Sequence, residues 1–299
     1  VFALLYEPDD AIKDQWKTND LVLYQANPVA VGNKEVFAAI RDLRATAILY
    51  ENKRENFLCK HCNILYKGLG TEGYVDVQKV MRCAVPEDLN FWRGRRVWLG
   101  IDLAQTDDNT AVSMVAVDGE TIRVKVWGFI PKDKIELKTA KEDLDYRRMI
   151  KQGVCFACGE EVIDYGFVER FILSLPEKYG VEIVQLGYDR YNAISTVQKL
   201  EQHGIECVEI KQHSSVLHAP TKLLREMILN RTMSYEENRL LEINFQNSRC
   251  TQDTNLNKYV NKKRSSGKVD MVMATIDAVY LVQVDLLTNA QMSWGVQVG

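Results

Sequence analysis

Three aspartates in this chain stand where a carboxylate can do chemistry. Asp102 closes the apolar run Val97-Trp98-Leu99-Gly100-Ile101, Asp189 follows Leu186-Gly187-Tyr188, and Asp270 opens the apolar run Met271-Val272-Met273-Ala274. Desolvating one carboxylate is costly, and gathering three is costlier unless a cation joins them. A cluster of hard oxygen donors suits Mg²⁺ or Mn²⁺. The chemistry open to such a cluster is metal-assisted phosphodiester hydrolysis, in which two ions about 3.5–4 Å apart clamp the attacking and leaving oxygens. On that scheme Asp102 is the bridging ligand, with Asp189 and Asp270 on its flanks. No Ser, Cys or His is required as a covalent attacker.

Each acid also has a purely structural reading. Asp102 would cap the turn that follows it, Asp189 would pair with Arg190, and Asp270 would be an ordinary helix N-cap. All three holding together is the less economical account. Two further acids are auxiliary candidates. Asp277 lies on nearly the same helix face as Asp270, about 10.5 Å further along, and Asp108 sits in the turn after the first acid.

Lys258, Lys262, Lys263, Arg264 and Lys268 form the densest basic segment, just before Asp270. It reads as a DNA-binding loop that tracks phosphates, or else as a solvated loop. His203, His213 and His218 sit near element ends and carry no metal pattern. Cys59 with Cys62, and Cys155 with Cys158, are CxxC pairs. They are too far apart for a zinc ribbon and read as buried small apolar residues, with a structural zinc as the alternative. No GxxxxGK[ST] occurs, so no ATP hydrolysis is expected from these residues.

The elements that must position the acids follow from pattern. Arg96–Leu103 reads as a strand, as do residues 110–117 and 121–130, with Asp118-Gly119 as the hairpin turn between the last two. A charged helix is expected over about 136–151, and another over 164–179. A fourth strand covers 183–188, a helix 193–203, with Gly204 suited to its C-terminal cap, and a fifth strand 206–210. A helix over 219–230 and a long apolar helix over 270–287 complete the set. Three antiparallel strands followed by helix–strand–helix–strand–helix is the order of a ribonuclease H-like α/β fold: a mixed sheet, three antiparallel strands then two parallel, flanked by helices. Parallel neighbours present their carboxyl ends on one side, where sites on open α/β sheets form. Residues 1–92 read as a separate α/β remnant or linker, with a strand over 1–6 and an amphipathic helix over 34–49, and 93–299 as the main domain.

Composition is permissive. The 299 residues are 46% hydrophobic and 26% charged, which is ordinary for a soluble globular protein. The formal net charge of −3 excludes a uniformly basic coat but not a local basic patch. Seven cysteines without an export signal favour reduced thiols. No apolar run reaches a membrane span, so no membrane partner is expected. The start lacks an initiator Met and reads as a chain entered mid-strand.

These motifs resemble a known family, the large terminase subunit of tailed bacteriophages and prophages with a ribonuclease H-like nuclease domain. Gly100-Ile101-Asp102-Leu103-Ala104 with Asp108 resembles its first acidic motif. Gly187-Tyr188-Asp189-Arg190-Tyr191 resembles its second, and Gly267-Lys268-Val269-Asp270 its third. Asp145-Tyr146 through Gly153 and Val162-Ile163-Asp164-Tyr165 also fit, and Trp16 with Ala26-Asn27-Pro28 resembles the end of the ATPase domain. The resemblance implies an endonuclease that cuts double-stranded viral DNA concatemers during genome packaging, using Mg²⁺ or Mn²⁺. It places Asp102, Asp189 and Asp270 at the acidic positions, the C-terminal remnant of the ATPase domain in 1–92 and the nuclease in 93–299. Portal protein and the small terminase subunit are the implied partners, and the cytoplasm of the bacterial host the implied location. Asp277 departs from the pattern, standing where relatives often have an apolar residue.

Rival readings are an actin-like or sugar-kinase domain, a catalytically silent DNA-binding or portal-docking module, and another ribonuclease H-like nuclease or resolvase. The first needs a Gly-rich phosphate turn after the first strand. Gln105-Thr106-Asp107-Asp108-Asn109 has no glycine.

Overall fold

The computed structural model describes residues 4–64, 72–104, 109–142, 144–190 and 193–294. The chain divides into two compact units, 1–72 and 73–299.

In the first unit the described residues form helices and turns. The principal helices are α1 (Asp20–Ala26), α2 (Lys34–Leu49) and α3 (Glu51–His61). Asn19 caps α1 by accepting the Leu21 N–H, and Asn33 caps α2 by accepting those of Glu35 and Val36. Val22, Leu23, Ile40, Ala47, Phe57 and Leu58 bury together as its core. The strand expected over 1–6 is not formed at residues 4–6, and residues 1–3 lie outside the described residues.

The second unit is built on an eight-stranded mixed sheet. Its strands are β1 (Ala84–Val85), β2 (Arg96–Asp102), β3 (Thr110–Asp118), β4 (Thr121–Ile130), β5 (Cys155–Ala157), β6 (Glu182–Tyr188), β7 (Cys207–Glu209) and β8 (Met233–Glu236). Across the sheet the order is β1-β8-β4-β3-β2-β6-β7, with β5 paired to β4. Strands β2, β3 and β4 are antiparallel neighbours, joined between β3 and β4 through Gly119 at φ +63°. Strands β6 and β7 then add in parallel beside β2. This is the expected ribonuclease H-like core. Three strands have no counterpart in the sequence pattern. β5 and β8 lie parallel to β4, and β1 lies parallel to β8. Their three, four and two residues are too short to display a period. Because β1 pairs with β8, and Trp92 donates its indole N–H to Glu236, residues 84–92 pack within the second unit.

Helices cover both faces, so β2 is buried from Val97 onward, as a strand covered on two sides must be. Val97, Leu99 and Ile101 point toward α4 (Tyr165–Tyr179) and α5 (Ile194–Gln202), meeting Phe171, Ile172, Leu175, Val197 and Leu200. Trp98 faces the other layer, which holds α6 (Ser214–Asn230), α7 (Arg239–Asn247) and α8 (Asp270–Trp294). The two-residue strand period puts Gly100 and Asp102 on the α8 side as well. The single helix expected over 136–151 is two, Ile135–Glu142 and Tyr146–Lys151. Asp145 starts the second by accepting the Arg148 N–H, a cap that interrupts what composition alone reads as continuous. Among the described residues no helix is long and apolar enough to cross a membrane.

Candidate metal centre

Asp102 ends β2 and is only 6% exposed. In the parallel register Ile101 pairs with Tyr188, the last residue of β6, and Asp102 and Asp189 are the residues that follow this pair. Neighbouring strands run about 4.8 Å apart. Asp189 is half-buried.

Asp270 opens α8 and is 2% exposed. It accepts the Asn109 backbone N–H at 3.3 Å. Asp277, two turns later, is 1% exposed, and its Oδ1 accepts from Gln212 Nε2 at 3.3 Å. The helix reaches the sheet because both strands carry glycine beneath it. A Cβ on Gly100 would lie 1.9 Å from the Ala274 carbonyl oxygen, and one on Gly187 would lie 2.5 Å from Ile210 Cδ1 and 3.2 Å from the Asp277 carbonyl oxygen.

The electrostatics tie the acids together. The Lys262 ammonium forms an ion pair with Asp102 and lies 3.8 Å from Asp270 Oδ1. Burial first, and the Asp102 charge second, hold the Asp277 carboxyl well above the ordinary carboxylate range. The Asp189 charge adds to this, and the Gln212 hydrogen bond and Lys262 charge oppose it. Asp277 is therefore driven toward its neutral form until more positive charge arrives. Among the described residues no three His, Cys, Asp or Glu side chains converge on a ready-made ion position; the carboxylates of Asp102 and Asp270 are instead arranged about a lysine ammonium. The donor set of buried carboxylate oxygens is that of a hard divalent cation.

A network behind the acids has no signature in the sequence. Asn109 is held by Lys138 Nζ, which donates to its Oδ1 at 2.8 Å, while its Nδ2 donates to the Tyr146 hydroxyl at 2.9 Å. Tyr146 in turn donates to Glu142 Oε2 at 2.6 Å. Lys138, Asn109 and Tyr146 are all buried. The network fixes the residue whose N–H meets Asp270. Asn109 lies 29 residues before Lys138, and Lys138 sits in a charged segment that reads as a solvated helix.

The basic candidates fall in different places. Lys262 is at the acids. Lys263 and Arg264 are exposed on the same short turn, Lys262–Arg264. Lys258 lies in the strand Lys258–Val260, which pairs antiparallel with Arg249–Gln252, and its backbone N–H donates to His218 Nδ1. Lys268 is half-buried. Lys262, Lys263, Asp189, Gln212 and Tyr259 line a cavity of about 300 Å³ beside the acids. Asp108 lies outside the described residues.

Of the cysteine pairs, Cys59 is exposed, whereas Cys62, Cys155 and Cys158 are buried. Burial pushes the Cys62 and Cys155 thiols up to about 12 and the Cys158 thiol to about 11. These three are protonated, and they pack as small apolar side chains.

The chain matches the family model for the terminase large subunit, endonuclease domain, over residues 1–285. It resembles the crystal structure of the HK97 bacteriophage large terminase with a TM-score of 0.64 at 18% identity, a likeness of fold. That match covers 92% of this chain and 56% of the HK97 chain, so the chain spans little more than half of that protein's length. A further likeness is to the large terminase nuclease of the thermophilic phage G20c with bound magnesium, at 14% identity over 70% of this chain and 96% of that one. Its TM-score is 0.46. No curated protein sequence matches the chain.

Proposed function

The chain belongs to the family of terminase large-subunit endonuclease domains, and on that footing we propose that it is a metal-dependent endonuclease cutting double-stranded viral DNA concatemers during genome packaging. The observation that carries the reading is the cation that buried Asp102 shares with Asp270, together with the β2–β6 register, whose last pair, Ile101 and Tyr188, immediately precedes Asp102 and Asp189. Buried carboxylates held this close need a compensating cation, and a lysine ammonium offsets only one charge.

Asp102, Asp189 and Asp270 are the residues that would hold Mg²⁺ or Mn²⁺, two ions on this reading. When bound, such ions acidify water and offset the charge that builds on the phosphate. The chain's own residues do the rest. The β2–β6 register sets the positions of Asp102 and Asp189. The Asn109 N–H orients Asp270. Asp277 stands behind as an auxiliary acid held by Gln212. Lys263 and Arg264, exposed beside the acids, are suited to phosphate oxygens, with Lys258 and Lys268 further along the same segment. Phosphate contacts position DNA without reading it, so cleavage is weakly sequence-specific. ATP hydrolysis is not expected of these residues. Within a packaging motor the portal protein and the small terminase subunit are the partners, and the host cytoplasm the setting.

The test is plasmid cleavage by the purified chain in Mg²⁺ or Mn²⁺. Nicking and linearisation are expected, each abolished by D102A, D189N or D270N. Protein that binds DNA and never cuts it overturns the nuclease reading in favour of a silent docking module.

A further inference from the structure

Lys262 makes an unusual contact for a residue of a basic, phosphate-facing turn. Its ammonium is turned inward onto Asp102 and Asp270. The two carboxylate side chains are 8% and 3% exposed, whereas the lysine side chain is 40% exposed. One end of each pair is therefore fixed in the fold, and the other borders solvent on a flexible four-carbon stem. The acids come from β2 and α8. The lysine comes from the turn after a short strand hairpin, where the Asn261 side chain accepts the Lys263 N–H. The partners differ in what holds them. Moving either acid would disturb the sheet or the long helix, and moving the lysine requires only rotation of its stem.

The charge balance is also incomplete. Two buried carboxylates, Asp102 and Asp270, face the one Lys262 ammonium. A divalent ion on the Asp102 and Asp270 oxygens would claim the same contacts as the ammonium, and two cations on one pair of carboxylates repel.

We propose that Lys262 is a built-in counter-ion that competes with divalent cations for Asp102 and Asp270, holding the acid cluster together before metal enters and leaving when it does. This rests on the metal-dependent reading given above. It explains why a residue of the basic turn is engaged by acids while its neighbours Lys263 and Arg264 face solvent. It also makes metal loading a competition, so apparent metal affinity is set below the intrinsic affinity of the acids.

The experiment uses the 299-residue chain without DNA. Mn²⁺ is titrated by calorimetry into the wild type, K262M, K262R and D102N. K262M is expected to bind Mn²⁺ about tenfold more tightly than wild type, within the usual range of couplings between competing sites. K262R, which keeps the charge, is expected to stay near wild type. Metal-free K262M should melt below wild type and gain more from added Mn²⁺. As a readout on the unaltered chain, acetylation of Lys262 mapped by mass spectrometry should rise when Mn²⁺ is added. Unchanged or weaker Mn²⁺ binding by K262M, with binding still lost in D102N, overturns the counter-ion proposal and leaves the metal site standing. Unchanged acetylation of Lys262 on metal addition also overturns it. Absence of any Mn²⁺ binding that D102N abolishes overturns both readings.

Discussion

Gly100 and Gly187 lie directly opposite one another on neighbouring parallel strands, beneath the last helix. Neither is there for a left-handed backbone. Each is there because the α8 backbone, or what packs beside it, occupies the space a Cβ would take. The pair lets α8 settle onto the sheet beside the two strand ends that carry Asp102 and Asp189, which brings Asp277 within electrostatic reach of both.

Gly100→Ala is therefore expected to be strongly destabilising. Its Cβ would meet the Ala274 carbonyl oxygen and the Ala278 backbone nitrogen, neither of which can rotate away. Overpacking of this kind costs about 1–3 kcal/mol or more. Urea unfolding at neutral pH measures it. A midpoint equal to wild type would show that α8 does not lie against β2 as described.

Asp277 gives the metal-free protein a pH dependence. Its carboxyl is held above the ordinary value of 3.8, so the fold prefers the protonated form. The stability it contributes is full below about pH 4 and is lost as pH rises through the raised value. Asp277→Asn can still accept from Gln212 and cannot ionise. The variant should melt above wild type at pH 8 in EDTA, with the difference shrinking toward pH 4. A wild type whose melting curve tracks the variant at every pH would contradict this.

Asn109 links the outer network to Asp270. Asn109→Ala leaves the buried Lys138 and Tyr146 without their shared partner, at about 1–3 kcal/mol. Loss of a residue that orients a ligand-bearing segment commonly costs about 10–100-fold in metal affinity or activity. Chemical denaturation and Mn²⁺-dependent cleavage together check the two effects. A stable variant with full cleavage would mean the network does not support the site.

The thiols offer a test of the fold independent of catalysis. Cys59 is exposed, while Cys62, Cys155 and Cys158 are buried and protonated. In the native protein Cys59 should react quickly with a thiol reagent, and those three only on unfolding. Fast labelling of Cys155 would contradict the packing of β5.

Much of this is legible in the sequence because it is local. The run from Val97 to Ile101 carries no charged residue before Asp102, as a doubly covered strand requires, and Asp118-Gly119 announces its hairpin. Asp102 and Asp189 are identifiable because each terminates such a run. What escapes is non-local or too short. Strand β8 has four residues and owes its existence to β4 beside it. Lys138 looks like any lysine of a charged helix until Asn109 and Glu142 surround it. Lys262 reads as a phosphate ligand because nothing near it in sequence reveals that Asp102, 160 residues away, meets its ammonium.

The most direct test of the central claim is anomalous diffraction from crystals soaked in Mn²⁺. The account predicts manganese peaks in contact with the Asp102 carboxylate and shared with Asp189 or Asp270, with Lys262 turned away. Well-ordered crystals with no manganese at Asp102, or with manganese bound only elsewhere, would contradict it.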